Sequence, residues 1–196
     1  MVKTALLWVG LLALGGCGTL KNVDRNSDVR LSESEAILVL GVNPRYRVHL
    51  VHGSVTDDVW RRPFNDVPEA NLFPEDGYIV VKLKVQPAGE RWAVPSVMPE
   101  GIGGGLYVPC NDSMVPTFTL HGGTVNYVGG IDYQLTGKRL TFSVSSDEKA
   151  AREFIASHYP RFAALHVSTL TPLKVKTTVC DPKVITVPIY LPAPRR

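Results

Sequence analysis

Short apolar runs alternate with polar punctuation along this chain, and only one late stretch carries helical spacing. Ala36-Ile-Leu-Val-Leu40 is a continuous apolar run, the pattern of a buried strand. Asn43-Pro44 marks a turn. Tyr46 to His52 then alternates, with Val48 and Leu50 on one face, so the two segments are expected to form a hairpin. Gly77 to Gln86 is the clearest strand. Its Ile79, Val81, Leu83 and Val85 share one face and Lys82 and Lys84 the other, as in an antiparallel sheet with one wet side. Trp92 to Val97 reads as a strand broken by Pro95. Thr117 to His121, Thr124 to Val128, Ile131 to Leu135 and Arg139 to Ser145 read as a meander, with Gly122-Gly123 as a hairpin turn. Ser145 and Glu148 have the spacing of a capping box. Ala151, Phe154, Ile155 and His158 then fall on one helical face until Tyr159-Pro160 ends it. Leu173 to Val179 and Val184 to Tyr190 are the last predicted strands. The sum is a mainly β chain, an antiparallel β-sandwich with one late α-helix.

The first 35 residues follow another pattern. Lys3 precedes an apolar run of ten residues, Ala5 to Leu14, too short to cross a bilayer but of the length found in secretory signals. Leu14-Gly15-Gly16-Cys17 at its end resembles the lipobox of bacterial lipoproteins. The resemblance implies that residues 1–16 are a signal peptide and that Cys17 becomes a lipid-modified N-terminus, carrying diacylglyceryl and acyl (palmitate-type) chains that hold it to membrane lipid. Gly18, rather than an aspartate, follows the cysteine. By the same resemblance the protein is expected at the periplasmic face of the outer membrane of a Gram-negative host. The polar stretch from Thr19 to Glu35 has no apolar periodicity, so 17–35 is expected to be a lipidated N-terminus and flexible tether. Residues 36–196 remain as a single β-sandwich domain.

Composition narrows the function classes. Hydrophobic residues make up 44% and charged ones 20%, which fits a globular body rather than a disordered one. Fifteen prolines and seventeen glycines supply the turns that many short strands need. The net charge of +3 is too small to commit the chain to nucleic acid. With Cys17 acylated, only Cys110 and Cys180 remain, and an even pair in an exported chain reads as a disulfide. Two free thiols are the other reading.

Candidate chemistry is sparse. Trp60-Arg61-Arg62-Pro63-Phe64 sets cations beside aromatics, the composition of a partner surface, with Gly101 to Gly105 as a second candidate loop. The competing reading is that Trp60 and Phe64 cover the core. That glycine loop lacks the lysine, the serine or threonine and the following helix that phosphate loops require. His49 and His52 are separated by an odd number and face opposite ways on a strand. No His-Glu-x-x-His or zinc-spaced Cys/His pair occurs. No metal, cofactor or catalytic residue is therefore expected. Tyr107, Tyr127 and Tyr133 are available for a carbohydrate groove, but their strand phase does not converge.

Gly123-Thr-Val-Asn-Tyr-Val-Gly129, followed by a strand and a helix ending in Tyr-Pro, resembles a group of small bacterial lipoproteins of unknown function. That likeness implies a β-sandwich of transthyretin-like, Ig-like or carboxypeptidase-regulatory type and carries over no catalytic residues. The expected function is a lipid-anchored envelope protein, an accessory or protein-interaction module whose partner is another envelope protein. An immunity or inhibitor lipoprotein that neutralises a delivered toxin is the alternative. A ligand- or carbohydrate-binding sandwich comes third.

Overall fold

The computed structural model describes residues 20–63, 69–100, 105–110, 112–162, 164–176 and 186–190, the last stretch by its backbone alone. The described chain is mainly β, two mixed sheets and one helix in a sandwich-like arrangement. In chain order come β1 (Glu35–Asn43), β2 (Arg47–His52), β3 (Ser54–Thr56), β4 (Val59–Arg61) and β5 (Ala70–Leu72). They are followed by β6 (Tyr78–Lys84), β7 (Glu90–Met98), β8 (Met114–Leu120), β9 (Val125–Thr136) and β10 (Arg139–Ser145). The helix α1 (Glu148–His158) precedes β11 (Leu165–Val167), β12 (Thr171–Lys176) and β13 (Thr186–Tyr190). Sheet 1 has the order β13-β10-β9-β1-β6, with β11 also on β9, and sheet 2 the order β3-β4-β12-β8-β7-β2-β5.

Two expected hairpins are corrected. The turn at Asn43-Pro44 carries the chain from sheet 1 to sheet 2, and so β1 and β2 do not pair. Gly122-Gly123 likewise joins β8 of sheet 2 to β9 of sheet 1. Burial supplies the reason. Ala36, Leu38 and Leu40 enter the core between the sheets, while Ile37 and Val39 are buried on the opposite face. A strand buried on both faces belongs inside a sheet, and β1 has β6 antiparallel on one side and β9 parallel on the other. The sheets are therefore mixed, not antiparallel throughout. Parallel pairing recurs at β9·β11, β10·β13 and β4·β12. The β9–β10 hairpin does form, closed by Gly137-Lys138 with Gly137 at φ +60°.

Two bulges absorb what the sequence suggested were breaks. Opposite Leu50 the partner strand β7 carries two residues, Val94 and Pro95, between the pairs His49↔Ser96 and Val51↔Ala93. The extra residue leaves Pro95, which has no N–H, outside the ladder. Strand β7 therefore runs on through it. In β9 three steps from Tyr127 to Gly130 match two from Val39 to Gly41, and Gly129 takes φ +111°. That extra step reverses the facing of everything after it. Val128 and Ile131, an odd number apart, both enter the same core.

Lys82 and Lys84 are exposed, as their alternation indicates, but much of the rest of the outer face of sheet 1 is covered. Val80 is 1% exposed and packs with Ile37, Val39, Val125 and Tyr127 beneath Ala151, Phe154 and Ile155 of α1. The helix stands where its periodicity placed it, but its N-cap is Asp147, not Ser145. The Asp147 carboxylate accepts from Ala150 N–H at 2.9 Å, and the Asp147 N–H donates to Tyr127 Oη at 3.0 Å. Tyr127 thus supplies the bond that a capping box would draw from a glutamate.

Residues 20–34 do not behave as a free tether. Val23, Val29 and Leu31 are partly buried against the same outer core. The Val23 N–H donates to Val80 O at 2.7 Å, and the Asn22 side chain accepts from Val80 N–H and donates to Phe73 O. Tyr159 Oη donates to Val23 O at 3.2 Å. Strand β6 is an edge of sheet 1, and an edge presents unpaired N–H and C=O groups that a passing segment can satisfy. The N-terminal stretch does this as a strap.

Candidate functional site

Strand β3 follows β2 after the single residue Gly53, yet β3 is one edge of sheet 2 and β2 lies beside the other. The sheet must therefore curl until its two ends meet. Gly53 forms the corner, its N–H donating to Arg91 O at 2.9 Å. A Cβ there would lie 2.5 Å from Trp60 Nε1 and 2.7 Å from Arg61 O, which is why the corner has no side chain. Trp60 (0% exposed) fills the curl, packed with Val51, Ala93, Val115 and Val175.

At the mouth of the curl the apolar filling gives way to polar groups. Cross-strand partners share a face of a sheet. The register Asn71↔His49↔Ser96 across β5, β2 and β7 thus sets three polar residues in one row on the outer face. His49 is 8% and Ser96 5% exposed, with His49 Nδ1 and Ser96 Oγ 2.7 Å apart. Arg47, two residues earlier on β2, lies on the same face. Its guanidinium sits over the Phe73 ring at 4.2 Å from the centroid. Arg47 Nε is buried with no hydrogen-bond partner among the described residues. Arg45 approaches the same ring at 5.3 Å and reaches Glu100 Oε2 at 3.4 Å.

The electrostatics of this mouth are cationic. Burial is the main cause that holds the His49 imidazole below its ordinary value of 6.5. The charges of Arg47 and Arg62 push the same way, and a hydrogen bond with Asn71 opposes them. His49 is neutral at pH 7 and keeps Ser96 and Asn71 in place by hydrogen bonding rather than by charge. Burial also lowers Arg62 from 12.5, but a guanidinium there remains charged.

The structure separates the residues that the sequence grouped as a partner surface. Trp60 is corrected: it fills the curl, so the apolar reading of its ring prevails over contact with a partner. Arg61 is exposed, Arg62 is half-buried at the mouth, and Phe64 lies outside the described residues, as do Gly101 to Gly104, Cys17 and Cys180. Cys110 is half-buried and disulfide-bonded. His49, Asn71, Ser96 and Arg47 were not singled out as a group. Their meeting depends on strand register and on the Pro95 bulge, and only the alternation of Arg47 and His49 could have hinted at it.

The remaining candidates fall elsewhere. Tyr127 caps α1 on the outer face of sheet 1, while Tyr133 lies in the core between the sheets, its hydroxyl pushed above the ordinary range by burial. The Gly129 bulge turns the two rings to opposite faces, so they form no shared groove. His158 closes α1, stacked on Phe154 at 4.5 Å and 3.7 Å from Asp76, whose carboxylate also holds Arg25. Among the described residues no group of three His, Cys, Asp or Glu could hold a metal ion, and no helix is long and apolar enough to cross a membrane. No family model, curated protein or solved structure matches the chain.

Proposed function

We propose that this chain is a lipid-anchored envelope protein that docks a protein partner through the cationic mouth of sheet 2, without catalysis of its own. The anchor rests on the lipobox-like Leu14-Gly15-Gly16-Cys17, and the proposed location is the periplasmic face of an outer membrane. The observation that carries the docking role is the placement of two cations, Arg47 and Arg62, about a polar row on the outer face of sheet 2. The strap that leads back toward Cys17 covers the outer face of sheet 1 instead. Cys180 is the proposed partner of Cys110, tying the C-terminal strands to the β7–β8 connection.

The test is a crosslinked pull-down from membranes with wild type, Cys17→Ser and Arg62→Glu. An envelope partner recovered by wild type, reduced with Cys17→Ser and lost with Arg62→Glu supports the proposal. One soluble protein recovered equally by wild type and Cys17→Ser supports the inhibitor alternative. Retention of Cys17→Ser in the membrane fraction removes the anchor.

A further inference from the structure

We propose that the mouth of the curled sheet is a carboxylate-binding site, taking an aspartate, glutamate or C-terminal carboxylate of the partner between Arg47, Arg62 and Asn71. The inference rests on the docking role above and gives it a chemistry. Three features of the geometry support it. First, the Arg47 guanidinium carbon lies over the Phe73 ring, 4.2 Å from its centroid, an aromatic platform that steadies the group. Planar, two-point recognition of a carboxylate is what a guanidinium so held does best.

Second, Arg47 Nε is a buried donor without an acceptor, and buried donors are costly unless they are matched. The neighbouring carboxylates do not serve it: Glu100 is engaged by Arg45, and Glu69 by His52. Among the described residues Arg47 has no ion-pair partner. Third, the floor offers neutral hydrogen-bonding groups rather than acids. His49 bonds Ser96 and Asn71, and Asn71 stands in the same row on the edge strand with its side chain exposed. Among the described residues of this floor, a carboxylate meets a cation and amide donors and no like charge. His49 and Ser96 act as positioning residues behind them.

The experiment is a titration of the full-length chain in detergent with succinate, followed by NMR of the His49 ring and the Asn71 and Ser96 amides. Sodium chloride at matched ionic strength and inorganic phosphate are run in parallel. A saturable shift confined to these three residues is expected with succinate and absent with chloride. Arg47→Gln should weaken it roughly tenfold, the loss of one charge-assisted hydrogen bond. Asn71→Ala and Arg62→Gln, both at less buried positions, should weaken it without disturbing the fold, and Arg139→Gln on β10 should leave it unchanged. Shifts that never saturate, that chloride reproduces, or that survive all three mouth variants overturn the site. Tighter binding of phosphate than of succinate overturns the carboxylate assignment. If succinate binds but the pull-down recovers nothing, the docking role fails and the carboxylate site stands. If the pull-down is Arg62-dependent but succinate does not bind, the reverse holds.

Discussion

The outer face of sheet 1 is closed by apolar cover: α1 and the N-terminal strap bury Ile37, Val39, Val80, Val125 and Tyr127. Among the described residues no helix lies on the outer face of sheet 2. This sheet covers part of itself by curling, with Trp60 as the plug, and leaves the row of His49, Asn71 and Ser96, with Arg47 beside it, where the cover stops. Both faces solve the same problem, since a sheet with apolar residues on two sides needs two partners. A helix laid across a sheet covers it and leaves little room for polar groups. A curl ends abruptly, and the polar groups at its end run from buried His49 and Ser96 to exposed Asn71, so that a binding group can be held from behind and still be reached.

The contrast can be broken most forcefully at the plug. Trp60→Ala should cost about 3–5 kcal/mol, the usual penalty for emptying a large buried aromatic site. It should also disorder the mouth, seen as loss of hydrogen-exchange protection in β3 and β4 before sheet 1. Equal loss of protection across both sheets would mean that the curl is not a separate cover. On the other face the corresponding cut is gentler. Asp147→Ala removes the α1 cap and should cost about 1 kcal/mol, lowering the denaturation midpoint while leaving His49 and Ser96 resonances unmoved.

A smaller effect distinguishes the faces by pH. The folded His49 titrates below 6.5 because of burial, and then Arg47 and Arg62, whereas the unfolded residue titrates near 6.5. The unfolded chain therefore takes up the proton first, and wild-type stability falls as pH drops through 6.5 toward the folded pKa. His49→Gln should remove that component from denaturation curves measured from neutral to mildly acid pH. If the slope is unchanged, the lowering of the His49 pKa by its buried setting is wrong. The smallest effect belongs to the strap. Lys82, and after it the Ser32 backbone and hydroxyl, lower Glu35 from 4.5 to about 2. Its contribution is present above pH 4.5 and is lost as pH falls toward 2. Glu35→Gln should flatten that acid window only slightly, because the pair is exposed.

Much of the fold was legible because alternation and apolar runs report burial directly. β1, β6, β10 and α1 all lie where Ala36–Leu40, Ile79–Val85, Leu140–Val144 and Ala151–His158 indicated. Pairing was less legible. Asn43-Pro44 and Gly122-Gly123 carry local turn chemistry, but whether a turn returns to the same sheet or crosses to the other is settled by burial on both faces of β1. The strap was missed for a related reason. Val23, Val29 and Leu31 follow no period, since a segment that pairs at single points along an edge needs none. Of the candidate site, Arg62 was visible from composition. His49, Asn71 and Ser96 come from three strands far apart in sequence, and a one-residue bulge at Pro95 fixes their alignment.

The strap also sets how the fold carries load. A pull on the chain from its N-terminal side reaches Asn22 and Val23 first, where bonds to Phe73 and Val80 stand one behind another and can peel in sequence. Behind them β1 is gripped on both flanks, in register from Glu35↔Lys84 to Gly41↔Tyr78 on one side and along β9 on the other. To move it, both ladders must be sheared together. Tension is therefore met by a weak element that yields gradually and then by a strong one that yields all at once.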